Sequence, residues 1–229
     1  MKNIVQLTEA TKIYRQGKVE VRALDKLSLC LSKGEFTALS GPSGSGKTTA
    51  LNLIGGLDVP THGFVTLEEN NLAKLGRSML ARIRRDRIGF VFQAYNLIPV
   101  MTAYENAAFV LSLQGVAKNE CRERVINVLN EVGLHGMENR RPDEMSGGQQ
   151  QRVAIARAIV TRPAIVLADE PTANVDSATA ESLLNLMQQL NEQEGVTFLF
   201  STHDPRVMER ARRLIRLRDG QLEADEVRH

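Results

Sequence analysis

The sequence predicts an α/β fold with a mainly parallel sheet, antiparallel strands at the N-terminus and an α-helical insertion in the middle of the chain. Short apolar runs alternate between residues 4 and 31, a pattern typical of antiparallel strands. Strands and helices alternate again after residue 149, and helices of this length connect parallel strands by right-handed crossovers. Between these regions, residues 94–148 show helical periodicity without a strand pattern.

Breaks in the apolar pattern define the elements of the first half. Gly17 interrupts the N-terminal run and Lys33-Gly34 ends it, so antiparallel strands are expected on either side of Gly17. Phe36–Ser40 is a short apolar strand that leads into a glycine-rich loop and an apolar helix. The sequence also predicts strands at 61–67 and 88–92, with an arginine-rich helix at 77–87 between them.

The second half is predicted to begin with helices at 104–113 and 118–132. The elements expected after them are a helix at 149–160, a strand at 164–168, a helix at 177–194, a strand at 196–201, a helix at 205–212 and a strand pair around Asp219-Gly220. No repeat or linker separates these elements. We therefore expect one domain over 1–229, in which 1–93 and 149–229 form the core and 94–148 a helical subdomain.

Composition restricts the class of protein. The chain has 229 residues, 42% of them hydrophobic, and a net charge of +2, which indicates a globular domain and is weak support for nucleic-acid or anionic-membrane binding. Cys30 and Cys121 form neither a disulfide framework nor a zinc motif, as expected for a reducing cytosolic compartment. The first residues lack a signal-peptide pattern, and no apolar run approaches the ~18 to 20 residues needed to cross a bilayer.

Residues 41–49 carry the strongest single motif, a phosphate-binding loop (P-loop). Its residues are Gly41, Pro42, Ser43, Gly44, Ser45, Gly46, Lys47, Thr48 and Thr49. The glycines let backbone N–H groups surround phosphate oxygens, Lys47 reaches the outer phosphates and the Thr48 hydroxyl coordinates Mg²⁺. An ordinary glycine-rich turn is the alternative, and the position of the loop between a strand and a helix disfavours it. Together with an acid pair later in the chain, this motif predicts a P-loop nucleotidase core.

Two adjacent acids end the apolar run at 164–168. In a parallel sheet the carboxyl ends of the strands face the ligand, so Asp169 and Glu170 are expected at the phosphate site. We expect Asp169 to hold the metal and Glu170 to polarise the attacking water. An acidic turn before Pro171 without a catalytic role is the alternative.

The run Met-Ser-Gly-Gly-Gln-Gln-Gln-Arg from Met145 is similar to the signature sequence of ATP-binding cassette (ABC) proteins, with Met145 where Leu is usual. Its residues Ser146, Gly147 and Gly148 are predicted to lie at a helix start and to offer a second anion-binding nest. From the residues alone, the two sites serve either one ATP within a chain or two ATPs shared between chains. The resemblance implies the second arrangement, a head-to-tail homodimer in which the P-loop of one subunit faces the signature of the other. The signature residues are Ser146, Gly147, Gly148 and Gln149.

Five further residues, in four segments, resemble motifs of the ABC family, in the family's order. By resemblance, Gln93 contacts Mg²⁺ and the attacking water, Asn174 and Asp176 belong to the D-loop, and His203 contacts the γ-phosphate. Tyr14 resembles the aromatic residue that stacks on adenine. Each has an ordinary alternative: a loop glutamine, a residue beside a helix cap, or a half-buried strand aromatic.

The resemblance covers residues 4 to about 222 and implies the ABC ATPase fold with ATP and Mg²⁺ as ligands. Segments such as VLADEPTANVD are most similar to ATPases of the lipoprotein-releasing and macrolide-exporting branch. The implied function is that of an ATP-hydrolysing subunit of an ABC transporter, peripheral to the cytoplasmic face of the inner membrane, whose partners are a second copy and transmembrane permease subunits. An ABC ATPase that regulates a membrane partner, as in cell-wall hydrolase control, and a soluble one acting on DNA or ribosomes remain alternatives.

Two other patterns have open or ordinary interpretations. The arginines at 82–87 and 206–218 are interleaved with apolar residues and lack stacking aromatics, so solvated faces are favoured and no nucleic-acid partner is expected. The apolar run at 95–101 either packs the insertion onto the sheet or forms part of a groove for a helix of a membrane partner, and both can hold together.

Overall fold

The computed structural model describes residues 3–17 and 19–228, except for the side chain of Gln16. Its strands form two separate β-sheets. The strands are β1 (Asn3–Gln16), β2 (Val19–Ser32), β3 (Phe36–Ser40), β4 (His62–Leu67), β5 (Asn70–Asn71), β6 (Ile88–Val91), β7 (Ile165–Asp169), β8 (Phe198–Ser201), β9 (Arg213–Arg218) and β10 (Gln221–Val227). The helices are α1 (Lys47–Ile54), α2 (Arg77–Arg87), α3 (Ala103–Leu113), α4 (Lys118–Glu131), α5 (Gly147–Ile159), α6 (Ser177–Glu194) and α7 (Pro205–Arg210).

The larger sheet has the strand order β10-β9-β3-β8-β7-β6. Five of these strands run parallel, and β10 pairs antiparallel with β9 at one edge. Every residue of β3 and β8 is buried, as expected for central strands covered on both faces. This arrangement brings the carboxyl ends of β3, β7 and β8 to one edge of the sheet, and the predicted α/β class is confirmed.

The smaller sheet is antiparallel, with the order β2-β1-β4-β5. Val5 and Leu7 on β1 face the core together with Leu29 and Leu31, their partners on β2. These side chains pack with Leu53 of α1 in one apolar cluster that also includes central residues of the larger sheet. Helix α1, which follows the P-loop, is thereby held between the two sheets.

Helices α3 and α4 both pack against α5. Thr102 and Glu105 form a capping box at the start of α3, and Ser146 and Gln149 form another at the start of α5. Helix α5 extends from this second box into the apolar cluster beside the larger sheet, where Val153 and Ile155 are fully buried. The signature sequence is therefore attached to the core by the helix that it begins.

Most element boundaries lie within two residues of the predicted ones. Helix α5 begins at Gly147 rather than residue 149 because Ser146 caps it. Helix α7 ends at Arg210 rather than residue 212, since Ala211 is extended and Arg213 already belongs to β9. Cys30 and Cys121 are both free. Among the described residues, no helix has the length and apolarity that a bilayer crossing requires.

Candidate functional site

A cleft of about 810 Å³ opens where the strands of the larger sheet end, a size suited to a small ligand. It brings together most of the positions that the sequence singles out. The predicted residues that line it are Tyr14, Gly41, Pro42, Ser43, Gly44, Ser45, Gly46, Lys47, Thr48, Thr49, Gln93, Asp169, Glu170 and His203.

The P-loop connects β3 to α1 and leaves no room for a side chain at Gly41 or Gly46. Gly46 is left-handed (φ 100°), and a Cβ there would lie 2.5 Å from the carbonyl oxygen of Ala23. Gly220, in the turn between β9 and β10, donates its N–H to the Ser45 carbonyl, while its own carbonyl accepts from Asp25. The C-terminal hairpin and the N-terminal sheet thus support the loop from behind.

The start of α1 is suited to an anion. Among the described residues no side chain caps this helix, so the N–H groups of its first turn are directed to the cleft without a side-chain acceptor. The ammonium group of Lys47 donates to the carbonyls of Gly41 (2.8 Å) and Pro42 (3.0 Å) and so lies across the loop. Backbone dipoles and one cation therefore provide the positive potential that phosphates need.

The two acids at the end of β7 have different surroundings. Thr48 Oγ1 lies 3.5 Å from Asp169 Oδ2, which links the P-loop to the acid strand. Glu170 has a positive φ of 46° and a side chain only 17% exposed. Its carboxylate accepts from Thr202 Oγ1 (3.0 Å) and the His203 N–H (3.2 Å), and His203 Nδ1 lies 2.6 Å from Oε1. Glu170 is thus fixed by the loop after β8.

Two buried hydroxyls in the cleft indicate that it accepts a polar ligand. Ser45 Oγ and Ser201 Oγ have no hydrogen-bond partner among the described residues, although buried polar groups are normally paired. The oxygens of Thr48 and Asp169 suit Mg²⁺, which binds one or two carboxylates together with substrate phosphates and water. Among the described residues there is no cluster of three or more side chains that could hold a metal ion. Such a cluster is not needed where substrate phosphates and water supply the other ligands of Mg²⁺.

The D-loop closes against Gln93, a contact that the sequence does not predict. The Asn174 side chain donates to the Gln93 carbonyl (3.0 Å), and the Gln93 side chain lies 3.4 Å from Asn174 Oδ1. Asp176 caps α6 by accepting from the N–H and the hydroxyl of Thr179, and this hydroxyl lowers the pKa of Asp176. The two D-loop residues therefore differ: Asn174 contacts the cleft residue Gln93, whereas Asp176 stabilises a helix.

Tyr14 lies at the rim of the cleft, where the residue is 37% exposed. Its hydroxyl donates to Asp58 (3.0 Å), and the ammonium of Lys12 lies 5.1 Å from its ring centroid. Burial and the Asp58 carboxylate raise the pKa of Tyr14, so the phenol stays protonated and keeps donating. Asp58, which follows α1, is 44 residues from Tyr14 in sequence, and only the fold reveals its role.

None of the signature residues 146–149 lines this cleft. Gly147 and Gly148 are not left-handed, so the predicted backbone nest is absent and only the N–H groups of the helix N-terminus remain as donors for an anion. Close packing explains both glycines. A Cβ on Gly147 would lie 2.7 Å from the Tyr95 hydroxyl, and one on Gly148 would lie 2.3 Å from Thr179 Cγ2.

Gly148→Ala is expected to destabilise the protein by about 1–3 kcal/mol because the added methyl overlaps Thr179. Thermal unfolding should show this as a Tm lower by roughly 3 to 10 °C. Thr179→Ser removes the overlapping methyl and keeps the hydroxyl that donates to Asp176. The double variant Gly148→Ala with Thr179→Ser should therefore recover most of the lost stability. Gly76→Ala, where the methyl meets open space at a negative φ, is the control. Equal Tm changes at positions 76 and 148 would contradict the packing explanation.

The fold and the cleft define a class. A P-loop between β3 and α1, with an acid pair ending the strand two places away in the same sheet, is the arrangement of a P-loop nucleoside triphosphatase. The family model described as ABC transporter matches residues 24–173. The chain therefore belongs to the ABC transporter family and is an ABC-type ATPase cassette.

Similar proteins agree with this assignment. The chain is 46% identical over 225 residues to the macrolide export ATP-binding/permease protein MacB of Syntrophobacter fumaroxidans, covering 97% of this chain but 32% of that protein. It is 44% identical to the lipoprotein-releasing system ATP-binding protein LolD of Legionella pneumophila, covering 94% of this chain and 95% of that protein. The chain thus spans about a third of the MacB relative and nearly all of the LolD relative.

The fold also matches a solved structure closely. This is the dimeric structure of a post-hydrolysis state of an ATP-binding cassette of Methanocaldococcus jannaschii, bound to ADP and Pi. The TM-score is 0.90 at 43% identity, over 98% of this chain and 99% of that one.

Proposed function

We propose that the chain is the ATP-hydrolysing subunit of an ABC transporter of the lipoprotein-releasing or macrolide-exporting type. One observation carries the proposal: the cleft joins the P-loop, both acids and His203, while the signature lies outside it. The signature cannot contact a nucleotide bound in the cleft of its own chain, so a second copy is needed to bring a signature to each P-loop. The core residues 1–93 and 149–229 supply the cleft, and the subdomain 94–148 leads to the signature.

The residues divide the chemistry of hydrolysis. The P-loop amides and Lys47 bind the phosphates of ATP, and Tyr14 offers its ring to adenine. Glu170 accepts a proton from the water that attacks the γ-phosphorus, the bond to the β–γ bridging oxygen breaks, and ADP leaves. His203 and Gln93 hold the γ-phosphate and the water. Thr48 and Asp169 would hold Mg²⁺, which offsets the negative charge that develops on the phosphate oxygens.

In the proposed head-to-tail homodimer, each ATP lies between one P-loop and the signature of the other subunit. The N-terminus of α5 supplies free N–H groups to the γ-phosphate, and the Ser146 capping box fixes their direction. ATP contacts both subunits only in the closed dimer, so binding favours closure and hydrolysis favours reopening. The solved relative with ADP and Pi is dimeric, which supports this cycle.

A second cleft, of about 360 Å³, is the proposed contact with a membrane partner. Phe90 and Phe92 stack along it, and Leu57 and Leu113 at its rim are 51% and 54% exposed. Its lining includes Asn96, in the loop that follows Gln93. A groove of this kind fits an amphipathic helix of a permease subunit, which would hold the chain at the cytoplasmic face of the membrane.

Leu57→Asp is expected to release the chain from membranes while leaving its own ATPase activity within twofold of wild type, because the charge opposes burial against an apolar helix. The measurement is the distribution of the tagged chain between membrane and soluble fractions of its host, with a shift of at least tenfold expected. Val227→Asp is the control, since Val227 is exposed on β10 at the opposite edge of the sheet. Membrane retention of Leu57→Asp equal to that of wild type would exclude this groove as the contact.

A further inference from the structure

The loop after Gln93 has an uncommon backbone. Tyr95 and Asn96 are consecutive residues with positive φ, 59° and 49°. Residues with a Cβ rarely adopt this conformation, and it persists only where the surroundings hold it. The loop itself supplies two hydrogen bonds, from Tyr95 N–H to the Phe92 carbonyl (3.2 Å) and from Asn96 N–H to the Ala94 carbonyl (2.6 Å). These two bonds use the carbonyls of Phe92 and Ala94, so the carbonyls of Tyr95 and Asn96 can accept hydrogen bonds from another part of the protein.

Arg157 of α5 meets both of these carbonyls. One guanidinium nitrogen donates to the Tyr95 oxygen at 2.9 Å, and the other terminal nitrogen donates to the Asn96 oxygen. The side chain is partly buried, and burial lowers the pKa of the guanidinium. A planar fork with two parallel N–H groups suits two neighbouring carbonyls, which a lysine ammonium cannot match in geometry.

The same loop is connected to the D-loop. The Tyr95 hydroxyl donates to the Asn174 carbonyl (3.0 Å), and the Asn174 side chain donates to the carbonyl of Gln93 (3.0 Å). Gln93 is therefore held both by its own loop and by Asn174. If the Arg157 hydrogen bonds are lost, we expect the Tyr95 turn to loosen and Gln93 to be held less firmly.

We propose that Arg157 is a positioning residue for ATP hydrolysis, which fixes the loop that carries Gln93 to the helix that carries the signature. The inference rests on the proposed function, because it takes the cleft to be the hydrolytic site. Helix α5 then has two tasks: its N-terminus receives the ATP of the other subunit, and Arg157 holds the glutamine that faces the ATP of its own subunit. The two composite sites are joined through one rigid helix.

Arg152 provides a matched control. It also lies on α5, is partly buried and has a pKa lowered by burial. Its guanidinium donates to the Val132 carbonyl and the Ser182 hydroxyl, away from the Gln93 loop. Comparing the two arginines separates loss of a buried cation on α5 from loss of the loop contact.

The experiment compares Arg157→Gln and Arg157→Lys with Arg152→Gln. For Arg157→Gln we expect kcat to fall at least tenfold while the Kd for ATP, measured with Glu170→Gln in the background, changes less than twofold. Amide hydrogen exchange at residues 93–97 should accelerate at least tenfold. Arg157→Lys should have an intermediate kcat, since its ammonium reaches one carbonyl. Arg152→Gln should leave both kcat and the exchange of 93–97 within twofold of wild type.

Three results would overturn the proposal: an unchanged kcat in Arg157→Gln, an equal loss in Arg152→Gln, or unchanged exchange at 93–97. If Arg157→Gln does not fold, the same comparisons are made with Arg157→Lys. Failure of the proposed function would be seen separately, as absence of ATP hydrolysis by the wild-type chain, and the exchange measurement would still decide whether Arg157 holds the loop.

Discussion

Glu170→Gln is expected to lower the rate of ATP turnover at least about 100-fold while leaving ATP binding intact, since a positioned general base contributes a factor of about 10² to 10⁴ to the rate. The amide has nearly the size of the carboxylate, and its oxygen can still accept from Thr202 Oγ1. It cannot accept a proton from water. The positive φ of residue 170 and the hydrogen bond of its N–H to the Ser201 carbonyl do not depend on the side chain, so the backbone should remain in place.

Phosphate release measures the turnover, and a titration with fluorescent ATP measures the binding. Glu209→Gln is a suitable control because it makes the same chemical change at an exposed position of α7. Turnover of Glu170→Gln near that of wild type would remove Glu170 from its assigned role. Weak ATP binding by the variant would instead assign Glu170 to holding the substrate.

The second large effect is expected when two inactive variants are mixed. Lys47→Ala removes the cation from the P-loop, and Ser146→Arg places a bulky side chain at the start of the signature helix. In a shared-site homodimer, each variant alone has two defective sites. A mixed dimer has one site with both defects and one intact site. With random pairing, half of the dimers are mixed and half of their sites are intact, so roughly a quarter of wild-type activity is the upper limit for the mixture.

The measurement is the ATPase rate of each variant and of the mixture at equal total concentration. Ser146→Arg should still bind ATP at its own P-loop, which distinguishes a lost partner contact from a misfolded chain. Normal hydrolysis by Ser146→Arg alone would exclude the shared site, whereas normal hydrolysis by Lys47→Ala alone would exclude the assigned role of Lys47. A mixture no more active than its components, with mixed dimers demonstrated by crosslinking, would also exclude the shared site.

The parts of the site that the sequence predicts are those whose chemistry is local. The P-loop needs glycines, a lysine and a hydroxyl within nine consecutive residues, and the acid pair follows directly on an apolar strand. In a parallel sheet the carboxyl ends of the strands lie at one edge, so both motifs are expected there even though the strand order itself comes from the structure. Local pattern and general topology are sufficient to predict this half of the cleft.

The contacts that the sequence does not predict depend on packing between distant segments. Asn174 and Gln93 meet across 81 residues, and Tyr14 and Asp58 across 44. Gly147 and Gly148 are a second example of what the sequence does not predict. The sequence favours a backbone nest at these glycines, whereas in the structure they are small because Tyr95 and Thr179 pack against them. Steric demands of this kind become visible only when the neighbouring element is in place.

The support of the P-loop by Gly220 has a consequence for how the protein is made. The loop at residues 41–49 is synthesised early, but the N–H that bonds the Ser45 carbonyl belongs to a residue 175 positions later. During translation, the nascent chain exposes a phosphate loop that lacks its rear support until the hairpin of β9 and β10 has left the ribosome. We therefore expect the P-loop to reach its final conformation late in biosynthesis, after the strands β9 and β10 have been made.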